Sequence, residues 1–266
     1  MKNAILKTAA VCLLSMGMLA GLTSLRAQSY DKQYYKVTFF DTKKEDMSQQ
    51  EFIDYMLETH IPLAAAIPGL KGYIVNFPKP ELYGNDQEEP PYDAIAELWF
   101  EDEATFQASM ESEEAQPALA DANELFAEFP PMVVSEEIMM VYPDKPAWKD
   151  GYKATYLCMK QPDMEFEDMQ LATMKHYIQR VIGLPDIQGY SYNFSATADP
   201  ELPFHLMVHI WFDSKEAADK ALKIAYGSSV MKQIREQTLS KMTGMEVQEY
   251  VVITPPTYRK HFAISN

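Results

Sequence analysis

One alternation of apolar and polar positions runs along this chain twice. In the first copy Tyr35–Phe40 is rich in aromatic and β-branched residues and predicts a strand. Met47–Ala66 then carries Phe52, Tyr55, Met56 and Leu63 at roughly helical spacing, with Ile67 just beyond. A Ser48/Glu51 capping box opens this helix, and Pro68 and Gly69 stop it. Gly72–Phe77 and Tyr92–Phe100 read as strands flanking a Pro/Glu/Asn-rich loop, Pro78–Pro91. A second helical region runs through Phe106, Met110, Leu119, Leu125 and Phe126, broken at Pro117, and Met132–Tyr142 closes the unit as a strand. The second copy repeats the plan with Tyr152–Met159, Glu165–Ile182, Gln188–Phe194, Pro203–Phe212, Lys215–Met242 (interrupted at Gly227) and Met245–Ile253.

The repetition extends to residue identity. Tyr35, Lys36, Thr38, Pro68, Gly72, Tyr73, Asn76 and Phe77 fall without a gap on Tyr152, Lys153, Thr155, Pro185, Gly189, Tyr190, Asn193 and Phe194. After the loop the offset shortens by five, and Trp99, Phe100, Glu137 and Pro143 fall on Trp211, Phe212, Glu249 and Pro255. Identities at fixed offsets imply a duplicated unit of about a hundred residues. The fold class is therefore α+β: two tandem ferredoxin-like βαββαβ units, 28–146 and 147–266, joined by a short linker at Pro143–Gly151. Such a sheet carries its helices on one face and leaves the other open, so the two open faces are expected to pack together into one intrachain, barrel-like core. Along the third strands, Ala94, Ala96, Leu98 and Phe100 form a uniformly apolar face, as do Leu206, Val208, Ile210 and Phe212. Those sets belong under the helices. The mixed sets, Ile95, Glu97 and Trp99 with Met207, His209 and Trp211, are expected to face the other sheet.

Residues 1–27 read as a signal peptide, with Lys2 and Lys7 before the apolar Ala9–Leu22 and a small residue, Ala27, before Gln28. A periplasmic or secreted location follows. Cys12 lies in that segment, which leaves Cys158 alone, so a core rather than a disulfide must hold the fold. The net charge is −16 and is unevenly placed: Tyr30–Pro146 carries 25 acidic and 7 basic residues, whereas the second copy is nearly balanced with 14 and 13. That field disfavours nucleic acid and anionic membrane surfaces as partners.

Several motifs in order resemble the EthD-like family of the dimeric α+β barrel group: His60-Ile61-Pro62-Leu63, Pro68-Gly69-Leu70, Gly72-Tyr73, Tyr92-Asp93, Ala96 through Phe100, and Gln116–Phe126 followed by Val133-Val134 and Glu137. The likeness covers nearly all of the first copy. The second keeps Gly189-Tyr190 and Ile210-Trp211-Phe212-Asp213 and looks like a diverged relative. Family members usually pair two chains through their sheets, so the resemblance implies a built-in dimer in a monomeric chain. It also implies binding of a small apolar or aromatic molecule, without fixing a reaction.

Candidate chemistry follows from residue type and place. His60, near a helix end in the family-like motif, is a candidate proton shuttle; it falls on Tyr177, while His176 falls on Thr59, so the two histidines do not share a role. Tyr73 and Asn76, with Tyr190 and Asn193, are candidate orienting or ligand-binding groups near it. Glu97 and His209 occupy equivalent places two residues before Trp99 and Trp211 and would form an acid/base pair beside an aromatic platform if the sheets meet. His205 and His209 lie about 13 Å apart on a strand, too far to share an ion, and no Cys/His cluster, serine elbow or nucleotide fingerprint occurs, so no metal and no cofactor are expected. The expected function is binding, with a cofactor-free acid/base transformation as a further step. The alternative is a non-catalytic module whose acidic first domain recruits a basic partner.

Overall fold

The computed structural model describes residues 33–82, 90–140, 151–197, 199, 202 and 204–256. The signal segment, the middle of the Pro78–Pro91 loop, the end of the Met132–Tyr142 strand and the linker up to Asp150 lie outside the described residues. The first repeat supplies strands β1 (Tyr35–Lys43), β2 (Gly72–Leu82), β3 (Ala94–Phe100), β4 (Phe126–Glu128) and β5 (Pro131–Met140). The second supplies β6 (Tyr152–Lys160), β7 (Ile187–Ser195), β8 (Leu206–Phe212) and β9 (Leu239–Ile253).

Within each repeat the strand order is that of a ferredoxin-like sheet, β5-β1-β3-β2 and β9-β6-β8-β7. Such a sheet has two edges with unpaired backbone groups, a liability in water. Here each edge is capped by the other repeat: β2 pairs with β9 and β5 with β7, both antiparallel, and β3 pairs with β1. The result is a closed barrel of eight strands, with β4 a short addition beside the end of β1. The two open faces thus meet by edge-to-edge closure and become the inner wall of the barrel.

The helices lie outside. In the first repeat α1 (Gln49–Tyr55) begins at the Ser48/Glu51 capping box, passes through a π-helical turn, Met56–His60, and continues as α2 (Ile61–Ala65). After β3 come α3 (Glu103–Glu111) and α4 (Gln116–Leu125). Pro117 falls in the first turn of α4, where its missing N–H costs nothing. The second repeat has α5 (Phe166–Ala172), a second π turn, Thr173–Tyr177, and α6 (Ile178–Val181), then α7 (Lys215–Gly227) and α8 (Ser229–Thr238). The second helical region therefore ends at Thr238, not Met242, and β9 starts six residues earlier than the sequence pattern suggests. Met242 and Leu239 pack in the apolar layer beneath the helices, so their burial in a strand mimics a helical stripe.

Three compartments follow from strand alternation. Ala94, Ala96, Leu98 and Phe100 pack with Phe52, Met56 and Leu125 beneath the helices of the first repeat. Leu206, Val208, Ile210 and Phe212 pack with Met169, Ile178 and Leu222 beneath those of the second. Inside the barrel, Phe40, Ile95, Met132, Met207 and Met245 form one apolar layer, and Ile74, Trp99 and Trp211 another. Along β3 and β8 the polar residues Glu97 and His209 fall between those two layers.

Candidate functional site

The middle layer of the barrel is built twice from the same residues. Lys36 on β1 faces Trp99 on β3, and Lys153 on β6 faces Trp211 on β8. Each ammonium lies over its indole, at 4.3 Å and 4.8 Å from the ring centre. Lys36 Nζ donates to Glu136 Oε1 and to Asn193 Oδ1, both at 2.7 Å. Lys153 Nζ donates to Glu249 Oε1 at 2.8 Å and to Asn76 Oδ1 at 2.7 Å. Each lysine thus bridges from its own repeat to an asparagine of the other. Glu136 lies opposite Asn193 and Glu249 opposite Asn76 in the ladders, so Glu136, not Glu137, is the counterpart of Glu249.

Symmetry fails at one position. Glu97 and His209 meet across the centre, Nε2 to Oε2 at 3.2 Å, both with no exposure. Glu97 also pairs with Lys36 and accepts from Asn76 Nδ2 at 2.7 Å, while Lys153 lies 3.7 Å away. Burial alone would push this carboxyl up, yet His209, Lys36 and Lys153 hold it well below the usual carboxylate range. Burial pushes His209 down to about 4 despite Glu97. A carboxylate can only accept, so Nε2–H donates to Glu97, and the neutral ring takes the Thr155 hydroxyl on Nδ1 at 2.9 Å. Thr38, the equivalent of Thr155, has a buried hydroxyl without a hydrogen-bond partner among the described residues.

Of the residues singled out by sequence, Glu97, His209, Asn76, Asn193, Trp99 and Trp211 are thus brought together in the solvent-excluded barrel interior. His60, Tyr73 and Tyr190 are not. Positions 73 and 76 are three apart on a strand and so face opposite ways: Tyr73 packs beneath the first repeat's helices with Val75 and Phe77, and Tyr190 beneath the second's with Tyr192 and Phe194. Asn76 and Asn193 are therefore not orienting groups for His60. Lys36, Lys153 and Glu136 were missed as members of the network, although the Lys36/Lys153 identity and its inner-face parity with Thr38 and Phe40 were the available signal.

His60 sits in the helical layer, as the last residue of the first π turn. Its Nδ1 pairs with Asp121 Oδ2 of α4 at 2.8 Å, and Tyr55 donates its hydroxyl to the other oxygen, Oδ1, at 2.6 Å. The ring stands edge-on to Phe126, centroids 5.0 Å apart. Its side chain keeps 11 % exposure, so the group is shielded but reachable. Burial pushes the imidazole below its ordinary value and Asp121 pulls it partly back. With Nδ1–H held by the carboxylate, the proton-accepting atom is Nε2. Tyr177 ends the second π turn at the equivalent place and, beside Arg235 of α8, lines a small cavity.

Residues 44–130 match the EthD domain family. The first repeat thus carries an EthD domain. Among solved structures, an anthrone oxidase-like protein superposes with a TM-score of 0.58 at 14 % identity, covering 83 % of this chain and 94 % of its own. A provisionally named monooxygenase of Lactobacillus acidophilus NCFM gives 0.50 at 11 % identity, covering 85 % and 98 %. Another, of Fusobacterium nucleatum subsp. nucleatum, gives 0.51 at 8 % identity, covering 84 % and 94 %. At these identities the likeness is one of fold, the dimeric α+β barrel. No curated protein matches the chain. The EthD match runs from before α1 to just past β4 and contains the whole Tyr55–Asp121–His60 chain.

Proposed function

We propose that this EthD-like protein binds a small apolar or aromatic molecule in the helical layer of its first repeat and moves a proton on it, with His60 as general base and no cofactor. The observation that carries this reading is the Tyr55–Asp121–His60 chain of hydrogen bonds. Asp121 orients the imidazole and fixes its tautomer, Tyr55 orients Asp121, and burial keeps the ring neutral near pH 7, ready to accept a proton at Nε2. The apolar flank at Phe126 suits an uncharged, hydrophobic substrate. Glu97 and His209, though an acid/base pair by type, are read as structural: a group with no exposure and saturated partners reaches no substrate.

The same proposal places the protein outside the cytoplasm, on the strength of the basic start and apolar run before Gln28, and takes it to act as a monomer because each repeat closes the other's sheet edges. Native mass spectrometry of protein from the exported fraction tests these points together. The expected result is one chain beginning at Gln28 with a co-purifying organic molecule that His60→Ala loses. A ligand retained by His60→Ala, with unchanged turnover, would sink the role of His60.

A further inference from the structure

The second repeat holds a buried arginine without a counter-charge, beside buried hydroxyls that are only partly satisfied. Arg235 on α8 is 5 % exposed, its Nε has no hydrogen-bond partner, and among the described residues no carboxylate pairs with it. The guanidinium lies over the Tyr226 ring, 5.0 Å from its centre. The Tyr190 hydroxyl is likewise buried and without a hydrogen-bond partner, and the buried hydroxyls of Tyr156 and Tyr226 have only each other. Burial pushes all three phenols up, and Tyr177 up to about 12, so each is a neutral O–H donor. Only the Tyr177 hydroxyl supports it, and a buried cation without a counter-charge is expensive, so a native fold retains one where something else completes it.

The space for that something is present. A cavity of about 20 Å³ lies between Tyr156, Cys158, Thr173, Tyr177 and Arg235, and a smaller one of about 10 Å³ adjoins it through Tyr156, Tyr177, Ile210 and Arg235. Room of that size takes a water or a small charged head group rather than a whole organic molecule. The rest of the wall is apolar, with Leu206, Val208 and Met242, and its partly exposed members Tyr177, Ile234 and Leu239 mark the side open to solvent. The π turn helps to shape this wall, since both Thr173 and Tyr177 belong to it.

We infer that this cavity is a second binding site, which takes the carboxylate head of a small apolar acid on Arg235 and the Tyr156 hydroxyl, with the apolar body along Ile234 and Leu239. It is independent of the His60 site, which lies in the other repeat and has the opposite charge. Five fixed guanidinium donors and neutral phenols suit a planar carboxylate, and the apolar wall rejects a fully hydrated anion.

Isothermal titration of the intact protein with benzoate, and with benzyl alcohol as a neutral counterpart, tests the inference. Benzoate is expected to bind at least tenfold more tightly than the alcohol. Arg235→Met should lose that preference, Arg235→Lys should keep part of it, Tyr156→Phe should weaken benzoate severalfold, and His60→Gln should leave it unchanged. Without ligand Arg235→Met should melt at a higher temperature than the parent, because it removes a buried charge that has no counter-charge. A destabilised Arg235→Met would make the arginine a structural member and overturn the inference, as would equal binding of acid and alcohol or no benzoate binding. Loss of benzoate binding in His60→Gln would also overturn it and assign the ligand to the first repeat instead.

Discussion

Met56–His60 and Thr173–Tyr177 are the same π turn in two repeats, each ending on a residue that faces the last helix before the closing strand. In the first repeat the pair is His60 with Asp121; in the second it is Tyr177 with Arg235. A base beside an anion has become a phenol beside a cation. The barrel interior has done the reverse: Lys36 with Asn193, Glu136 and the Trp99 ring is matched by Lys153 with Asn76, Glu249 and the Trp211 ring. The inside therefore holds the two repeats together, and the helical layers are where they were free to diverge. One inner position departs from this for a reason of charge. A residue on the pseudo-two-fold axis meets its own copy, so two Glu97 equivalents would confront each other as carboxylates; duplication lets one of them be His209.

The largest effect should come from the shared interior. Replacing Lys36 or Lys153 by Met leaves buried carboxylates uncompensated, and each change is expected to cost about 3–5 kcal/mol, by a similar amount in the two repeats. Urea denaturation measures it, with exposed Lys232→Met, of an i,i+4 surface pair, as the near-neutral control. A loss in Lys36→Met far from that in Lys153→Met would show that the interior is not energetically symmetric.

The axis position gives the next effect, and it depends on pH. His209 is pushed down to about 4 in the fold from an ordinary value of 6.5, so between those values the unfolded chain takes up a proton that the native one refuses. Stability is therefore whole above pH 6.5 and falls as pH drops to 4, by at most about 3 kcal/mol. His209→Gln keeps a donor to Glu97 and should flatten that window. Glu97, held low, adds a loss at still lower pH in both proteins. His209→Glu, which restores identity across the axis, should destabilise at pH 7 and recover on acidification, the opposite slope. Thermal melts from pH 7.5 to 4 distinguish the three.

A smaller effect is expected at the first π turn. Asp121 raises the His60 pKa against burial, so Asp121→Asn should lower it further, read by NMR titration of the imidazole, while stability changes by about 1 kcal/mol. An unchanged titration would mean that Asp121 does not act on the ring.

Much of this was legible because parity and repetition are rigid rules. Once Trp99 and Glu97 are placed on one face of a strand, Ile95 must join them, and the offset carries the assignment to Met207, His209 and Trp211. The inner layer failed to be complete because a lysine inside a barrel contradicts composition rules; only its partners Glu136 and Glu249 make it tolerable, and those lie a hundred residues away in sequence. Asp121 and Arg235 were invisible for a different reason. On an amphipathic helix a single charge reads as a solvated face, and what turns it inward is the π turn of another helix, a backbone feature with no sequence signature. The early start of β9 was hidden by Leu239 and Met242, apolar in either periodicity.

The smallest effect is expected of Asp186→Gly, in the turn that follows each π-containing helix, where the repeats solve one backbone problem differently. Gly69 has φ +80°, and the equivalent Asp186 has φ 62°, the left-handed region that L side chains adopt at some cost. A Cβ on Gly69 would come within 2.8 Å of Thr105 Cγ2 and 2.9 Å of Ser109 Oγ, so the first repeat admits only glycine. The second has room for a side chain and uses it to pair Asp186 with Lys220 at 2.8 Å, both well exposed. A pair so open to solvent contributes little, whereas relief of a left-handed aspartate is worth up to about 1 kcal/mol. Asp186→Gly should therefore leave stability unchanged or raise it slightly, and Gly69→Asp should lower it by more than 1 kcal/mol, since strain and collision add. Equal losses in the two reciprocal variants, measured by urea midpoint, would mean that the Asp186–Lys220 pair holds the second turn and that the two repeats are closed by different forces.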